Sequence, residues 1–163
     1  MARKRAGGGT PATAALDRAG VTYRLHPYDH DPRATSYGLE AATALGVDPA
    51  RVFKTLLTSL DGSLAVAIVP VSGQLDLKAL ARALGGSRAV MADVADAERV
   101  TGYVAGGISP VGQKRPLRTV LDDSALDHDT IFVSAGRRGL DLELAPADLV
   151  EITGAITGRV GRS

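Results

Sequence analysis

Residues 52–71 read VFKTLLTSLDGSLAVAIVPV, and the fold is decided there. Two β-rich runs, residues 52–60 and 64–71, flank Asp61-Gly62. That dipeptide suits a two-residue turn, because both central positions adopt left-handed backbone angles at low steric cost. A hairpin is therefore predicted. Within its first strand, the two-residue period places Lys54 on one face with Val52, Leu56 and Thr58. Burying an unpaired ammonium is costly, so Lys54 either snorkels to solvent at a sheet edge or reaches a cavity mouth and meets an anion.

Upstream, Thr10 caps a helix that starts at Pro11 and ends at Gly20. Residues 21–26 alternate Val21, Tyr23 and Leu25 against Thr22, Arg24 and His26, the pattern of a half-buried strand. Ser36 opens a second helix through Leu45, closed by Gly46, and Asp48-Pro49 starts a short turn. Downstream, Asp76 caps a helix over residues 77–84 with Leu77, Leu80, Ala81 and Leu84 on one face and Gly85 past its end. Val90 and Met91 form a short strand, and Asp93 caps a helical stretch to Val100. Strands follow at residues 118–121, 130–134 and 140–144, and Pro146 opens a last helix. Hairpins mixed with helices predict an α/β chain of the α+β type: a mixed, mainly antiparallel sheet, curled or closed into a barrel, with surrounding helices.

The chain has 163 residues, of which 45% are apolar, enough for one core in one domain. Its expected extent is residues 10–153. Residues 1–9, with Arg3, Lys4 and Arg5 before Gly7 to Gly9, read as a flexible basic, glycine-rich arm, and residues 154–163 as a loosely held tail. The formal charge of +1 does not mark a nucleic-acid protein and does not exclude one. The absence of cysteine removes disulfides, thiolate zinc sites and a cysteine nucleophile. No apolar run suits a signal peptide or a membrane span, which leaves a cytoplasmic protein as the expectation.

Residues 101–112 hold Gly102, Gly106, Gly107, Ser109, Pro110 and Gly112. Such density serves either an ordinary connector or a shaped loop whose backbone amides approach a carbonyl oxygen or phosphate. Two familiar motifs fail here. A phosphate-binding loop needs a lysine where Gln113 stands, and a hydrolase elbow needs a glycine where Val111 stands. His26 and His30, flanked by Asp29 and Asp31, have a helical metal-site spacing, but Pro27 and Pro32 oppose the helix, so no metal is expected. Tyr28 and Tyr37 either wall a cleft or pack in the core. Asp141, one residue into a strand after Gly139, either faces a cleft and binds an amine or faces solvent.

Taken in order, the chain resembles the YbaK/EbsC family of Cys-tRNA(Pro) deacylases, relatives of the editing domain of bacterial prolyl-tRNA synthetases. The resemblance runs from Thr10-Pro11-Ala12 through His26-Pro27-Tyr28-Asp29-His30-Asp31-Pro32 and Val52-Phe53-Lys54-Thr55-Leu56. It continues with Gly73-Gln74-Leu75-Asp76-Leu77, the glycine-rich segment from Thr101 to Lys114, and Gly139-Leu140-Asp141-Leu142-Glu143-Leu144. Arg115-Pro116 falls where the family pattern leads us to expect a more basic pair. The resemblance implies the family's editing-domain fold and a trans-editing hydrolase acting on mischarged tRNA, with prolyl-tRNA synthetase as a partner and no cofactor. It implies that Lys54 and Gly106 serve catalysis and that Tyr28, Tyr37, Thr55, Gly107, Ile108, Ser109 and Asp141 bind substrate. It further implies that the substrate's own thiol attacks its ester, since no side chain is an evident nucleophile.

Overall fold

The structure, a computed structural model, describes residues 9–163. The expected arm lies outside the described residues except for Gly9. In chain order the elements are α1 (Pro11–Ala19), β1 (Arg24–Pro27), α2 (Tyr37–Leu45), β2 (Phe53–Leu60), β3 (Ser63–Pro70), β4 (Gln74–Leu75), α3 (Leu77–Ala83), β5 (Ala89–Met91), α4 (Val94–Thr101), β6 (Arg118–Asp122), β7 (Ile131–Arg137), β8 (Leu140–Leu144), α5 (Pro146–Thr153), β9 (Ile156–Gly158) and β10 (Gly161–Arg162). Single turns of 3₁₀ helix lie at Pro49–Arg51 and Asp123–Asp127.

The hairpin forms as its turn chemistry dictates. β2 and β3 pair in register from Phe53↔Pro70 to Leu60↔Ser63. Asp61 at φ 50° and Gly62 at φ 89° make the tight turn between them. The Asp61 carboxylate accepts the amides of Ser87 and Arg88 at 2.8 and 2.9 Å, which ties the turn to the approach of β5. Those two amides hold its carboxyl below the usual range.

A five-stranded sheet runs in the order β5-β2-β3-β6-β9, and a three-stranded sheet in the order β1-β8-β7. Pairing is antiparallel except between β3 and β6 and between β6 and β9. The sheets meet at one isolated bridge, Val52↔Phe132, so the barrel alternative is not realised. Among the described residues no further strand pairing closes the gap.

One face of the hairpin supplies Phe53, Leu57, Val66 and Ile68 to the main core, with Leu16 of α1, Val100 of α4, and Val133, Leu140 and Leu142 of the smaller sheet. The opposite face packs Leu60, Ala67 and Val69 against Leu80 and Ala81 of α3. α1 is fixed at its start by Thr10, whose hydroxyl accepts the Thr13 amide and donates to the Ala135 carbonyl of β7 at 2.6 Å.

The strand expected over residues 21–26 begins only at Arg24. The Val21 amide still belongs to the end of α1, donating to the Leu16 carbonyl at 3.0 Å. The C-terminal tail differs more. Residues after Gly154 form β9 against β6 and β10 against β4, and Val160 is fully buried. The cause is Asp122. Its Oδ1 accepts the amides of Val160 and Gly161 at 2.9 and 2.7 Å, and its Oδ2 accepts the Ser124 hydroxyl at 2.5 Å. Burial pushes this carboxyl up, but the bonds from Ser124, Gly161 and Val160 together outweigh burial and hold it below the usual range.

Asp122→Ala leaves the two tail amides without their acceptor, each at a cost of about 1–3 kcal/mol. We expect a lowered thermal midpoint and faster amide exchange at Val160 and Gly161. Because the folded pKa is depressed, this contribution is present at neutral pH and is lost as pH falls below the ordinary carboxyl range. The variant should therefore approach the parent in stability on acidification. A midpoint difference unchanged by acidification would contradict this assignment.

Candidate active site

β2 sits inside the large sheet, yet part of its second edge is bare. Among the described residues β5 pairs with Thr58 to Leu60 only, and β7 forms a backbone bridge with Val52 only. Residues 53–56 therefore pair with β3 alone. A cleft of about 210 Å³ opens at this stretch, lined by Val52, Phe53, Lys54, Thr55 and Leu56. Its remaining walls come from Tyr28, from Ser36, Tyr37, Gly38 and Ala41 at α2, from Gly106 and Ile108 of the glycine loop, and from Ser134 and Asp141 of the smaller sheet.

Tyr28, Tyr37, Lys54, Thr55, Gly106, Ile108 and Asp141, scattered over more than a hundred positions, thus meet in one concavity. Gly107 and Ser109, expected beside them, do not line it. Both are buried, with Ser109 fully inaccessible. The Gly107 amide donates to the Val104 carbonyl at 2.9 Å, and the Ser109 hydroxyl accepts the Val111 amide at 3.2 Å. These bonds shape the loop from behind.

The cleft holds two charged groups that do not neutralise each other. Lys54 is half-buried and has no carboxylate partner among the described residues, and burial lowers its pKa. Asp141 is only 5% exposed and lies opposite Ser134 and His26 on the neighbouring strands. Burial pushes its carboxyl up to about 7. Burial, then the Asp141 charge, pushes the Tyr28 hydroxyl up to about 12. Thr55 contributes a buried hydroxyl without a hydrogen-bond partner. Unsatisfied polar groups beside an open cavity are what a polar ligand completes.

The glycine loop is held by several side chains around the Gly106 amide. The Tyr103 hydroxyl reaches the Val111 carbonyl at 2.6 Å, and the Gln113 side chain the Ser109 carbonyl at 3.0 Å. Glu98 accepts the Ala105 amide at 2.8 Å, and Arg138 Nε donates to the Ala105 carbonyl at 2.8 Å. Among the described residues, the amides of Gly106 and Ile108, the two loop residues that line the cleft, donate to no acceptor. Gly106 lies at φ 85°, and a Cβ there would stand 2.8 Å from Arg138 Nε and 2.9 Å from Tyr37 Cγ. Glycine is required on both counts.

Sequence reasoning passed over Ser36, Ser134, Glu98 and Arg138. Ser134 is visible only once its register with Asp141 is known. Glu98 and Arg138 grip the loop from α4 and from the β7–β8 turn, contacts that no local pattern encodes. The two histidines are engaged elsewhere: His26 Nε2 meets Glu143 and His30 Nδ1 meets Glu40, both at 2.9 Å. Among the described residues no helix is long and apolar enough to cross a membrane.

The chain is similar to known proteins along most of its length. The chain is 36% identical over 155 residues to EbsC of Enterococcus faecalis, provisionally named a Cys-tRNA(Pro)/Cys-tRNA(Cys) deacylase, covering 94% of this chain and 93% of that one. It is 28% identical over 144 residues to the multifunctional Ser/Thr-tRNA deacylase ProXp-y of Escherichia coli, covering 85% and 84%. A crystal structure described provisionally as a trans-editing enzyme for prolyl-tRNA synthetase superposes with a TM-score of 0.82 at 25% identity, covering 94% of this chain and 96% of that one. The aminoacyl-tRNA editing domain model matches residues 30–152, and the chain belongs to that family.

Proposed function

We propose that this chain is a trans-editing aminoacyl-tRNA deacylase that releases cysteine from Cys-tRNA(Pro). The observation that supports the reading is the unneutralised pair, Lys54 and Asp141, in one cleft with the unoccupied Gly106 amide. An aminoacyl ester on a terminal adenosine presents matching groups: an ammonium for Asp141, phosphate or hydroxyl oxygens for Lys54, and a carbonyl oxygen for the Gly106 amide. That amide stabilises the oxyanion as it forms.

The biological need is plain, because cysteine and proline are similar in size and a synthetic pocket discriminates weakly between near-isosteres. The substrate's thiol sulfur attacks its own ester carbonyl. A C–S bond forms, the ester C–O bond breaks, and the thiol proton ends on the released ribose oxygen, giving a cyclic thiolactone and free tRNA. Well-oriented intramolecular reactions reach effective molarities of about 10⁵–10⁸ M, so the chain need only position the ester and stabilise its oxyanion. Prolyl-tRNA synthetase is the natural source of the substrate and the expected partner.

The likeness to ProXp-y favours a second reading, in which a positioned water hydrolyses serine or threonine esters. Incubation with a panel of charged tRNAs, with product analysis, separates the two. Thiolactone from the cysteine ester, with slow loss of serine, threonine and alanine esters, is the expected result. Free amino acid released from every ester indicates water attack. Protection of all esters indicates a module that binds without cleaving.

A further inference from the structure

Arg138 occupies a place that the reading above does not use. It stands exposed in the turn between β7 and β8, where a register shift between Ser134 and Arg137 interrupts the pairing. Its guanidinium carbon lies 5.0 Å from the centre of the Tyr37 ring, and its Nε donates to the Ala105 carbonyl at 2.8 Å. One side chain therefore ties α2, the glycine loop and the smaller sheet together at the cleft rim.

The Nε bond has a directional consequence. The Ala105 carbonyl and the Gly106 amide belong to one planar trans peptide, so their C=O and N–H vectors are opposed and fixed to each other. Holding the carbonyl with a cation fixes the amide's direction and strengthens it as a donor, because a hydrogen bond at one end of a peptide polarises the other. Glu98 restrains the preceding peptide through the Ala105 amide. The carboxylate on one peptide and the cation on the next leave that segment little freedom to turn.

The same side chain retains unused capacity. Among the described residues its two terminal amino groups donate to no acceptor, and no carboxylate pairs with it. The tyrosine ring and the Nε bond hold the guanidinium plane in place. A planar, pre-set fork with free donors is suited to two oxygens of a phosphate.

We propose that Arg138 is a phosphate-binding and positioning residue: its terminal amino groups take a phosphodiester of the substrate's single-stranded 3′ end, while its Nε aligns the Gly106 amide. The proposal rests on the deacylase reading for the identity of the substrate. It links the arrival of the nucleic-acid strand to the aim of the donor over the ester carbonyl.

The test compares Arg138→Gln with Arg138→Lys, following kcat and kcat/KM for deacylation across a salt series. Each phosphate contact on a single strand contributes about 0.7 to the slope of log kcat/KM against log salt. Arg138→Gln should lower that slope by about this amount, and lower kcat on the order of tenfold to a hundredfold through misalignment of the amide. Arg138→Lys keeps the charge and loses the fork and the Nε bond, so it should keep the slope and still lose kcat. Arg99→Gln, an exposed cation on α4 paired with Asp96, serves as the control and should change neither.

A parental slope in Arg138→Gln, or parental kcat in Arg138→Lys, overturns the proposal. In parallel, a labelled RNA oligonucleotide ending in CCA is titrated against each variant by fluorescence anisotropy over the same salt series. Binding that depends on Arg138 without deacylation by the parent protein sustains the phosphate subsite and removes the deacylase reading. Deacylation whose slope ignores Arg138 does the reverse.

Discussion

Lys54→Ala is expected to lower kcat/KM for deacylation by on the order of a thousandfold while leaving the thermal midpoint unchanged or raised. The size follows from the role, since removing one charged anchor that positions reacting groups costs about 10²–10³ or more in rate. Retained stability follows from the environment. The ammonium is half-buried and has no carboxylate partner among the described residues. Its lowered pKa means that the protonated form is disfavoured in the folded chain, a penalty present at neutral pH and relieved as pH rises from the lowered value to the ordinary 10.5. Alanine removes the penalty along with the charge. Parental activity should also decline as pH rises through a value below 10.5, the ordinary lysine value. Deacylation within tenfold of the parent, or loss of fold with full specific activity in the remaining soluble protein, would refute the role.

Asp141→Asn is expected to raise stability at pH 8 and to lower activity in the same protein. The sign comes from linkage. The folded pKa of about 7 lies above the ordinary 3.8, so the native state binds the extra proton between those values. Stability is thus undiminished below about pH 4, falls as pH rises through the window, and carries its full penalty above 7. At about 1.36 kcal/mol per pH unit, the penalty at pH 8 is on the order of a few kcal/mol. Asparagine removes it, so the thermal midpoint should rise at pH 8 and match the parent near pH 4.

Activity moves the other way because an amide does not pair with the substrate's ammonium. KM should rise for Asp141→Asn at pH 8, and the parent's own KM should climb toward the variant's as pH falls below 7. A midpoint difference constant from pH 4 to pH 8 would show that burial does not hold this carboxyl as described. An unchanged KM would remove Asp141 from amine binding.

Much of the architecture was legible in local chemistry. Asp61-Gly62 specified the turn, and caps at Thr10, Ser36 and Asp76 with Gly20 and Gly46 marked helix ends. The tail is ordered although its glycine and polar residues suggest a loose end, because composition says nothing of Asp122, nearly forty positions upstream, which satisfies its amides. A glycine-rich string has no visible inside, so nothing local separates Gly107 and Ser109 from Gly106. Only the bond from the Gly107 amide to the Val104 carbonyl and the bond from the Val111 amide to the Ser109 hydroxyl show which groups the loop keeps for itself.

The hairpin, the helix boundaries, the lack of a cysteine nucleophile and the family can be read from residue identity, since each depends on residue type or on neighbours within a few positions. Tertiary structure alone decided that β5 and β7 leave residues 53–56 bare between them. It also decided that Lys54 and Asp141 share one cleft unpaired, and that Arg138 holds the peptide of Gly106. The physical reason is range: turn and cap energies are local, whereas desolvation and the fate of a single amide are set by whatever distant chain segment packs against it.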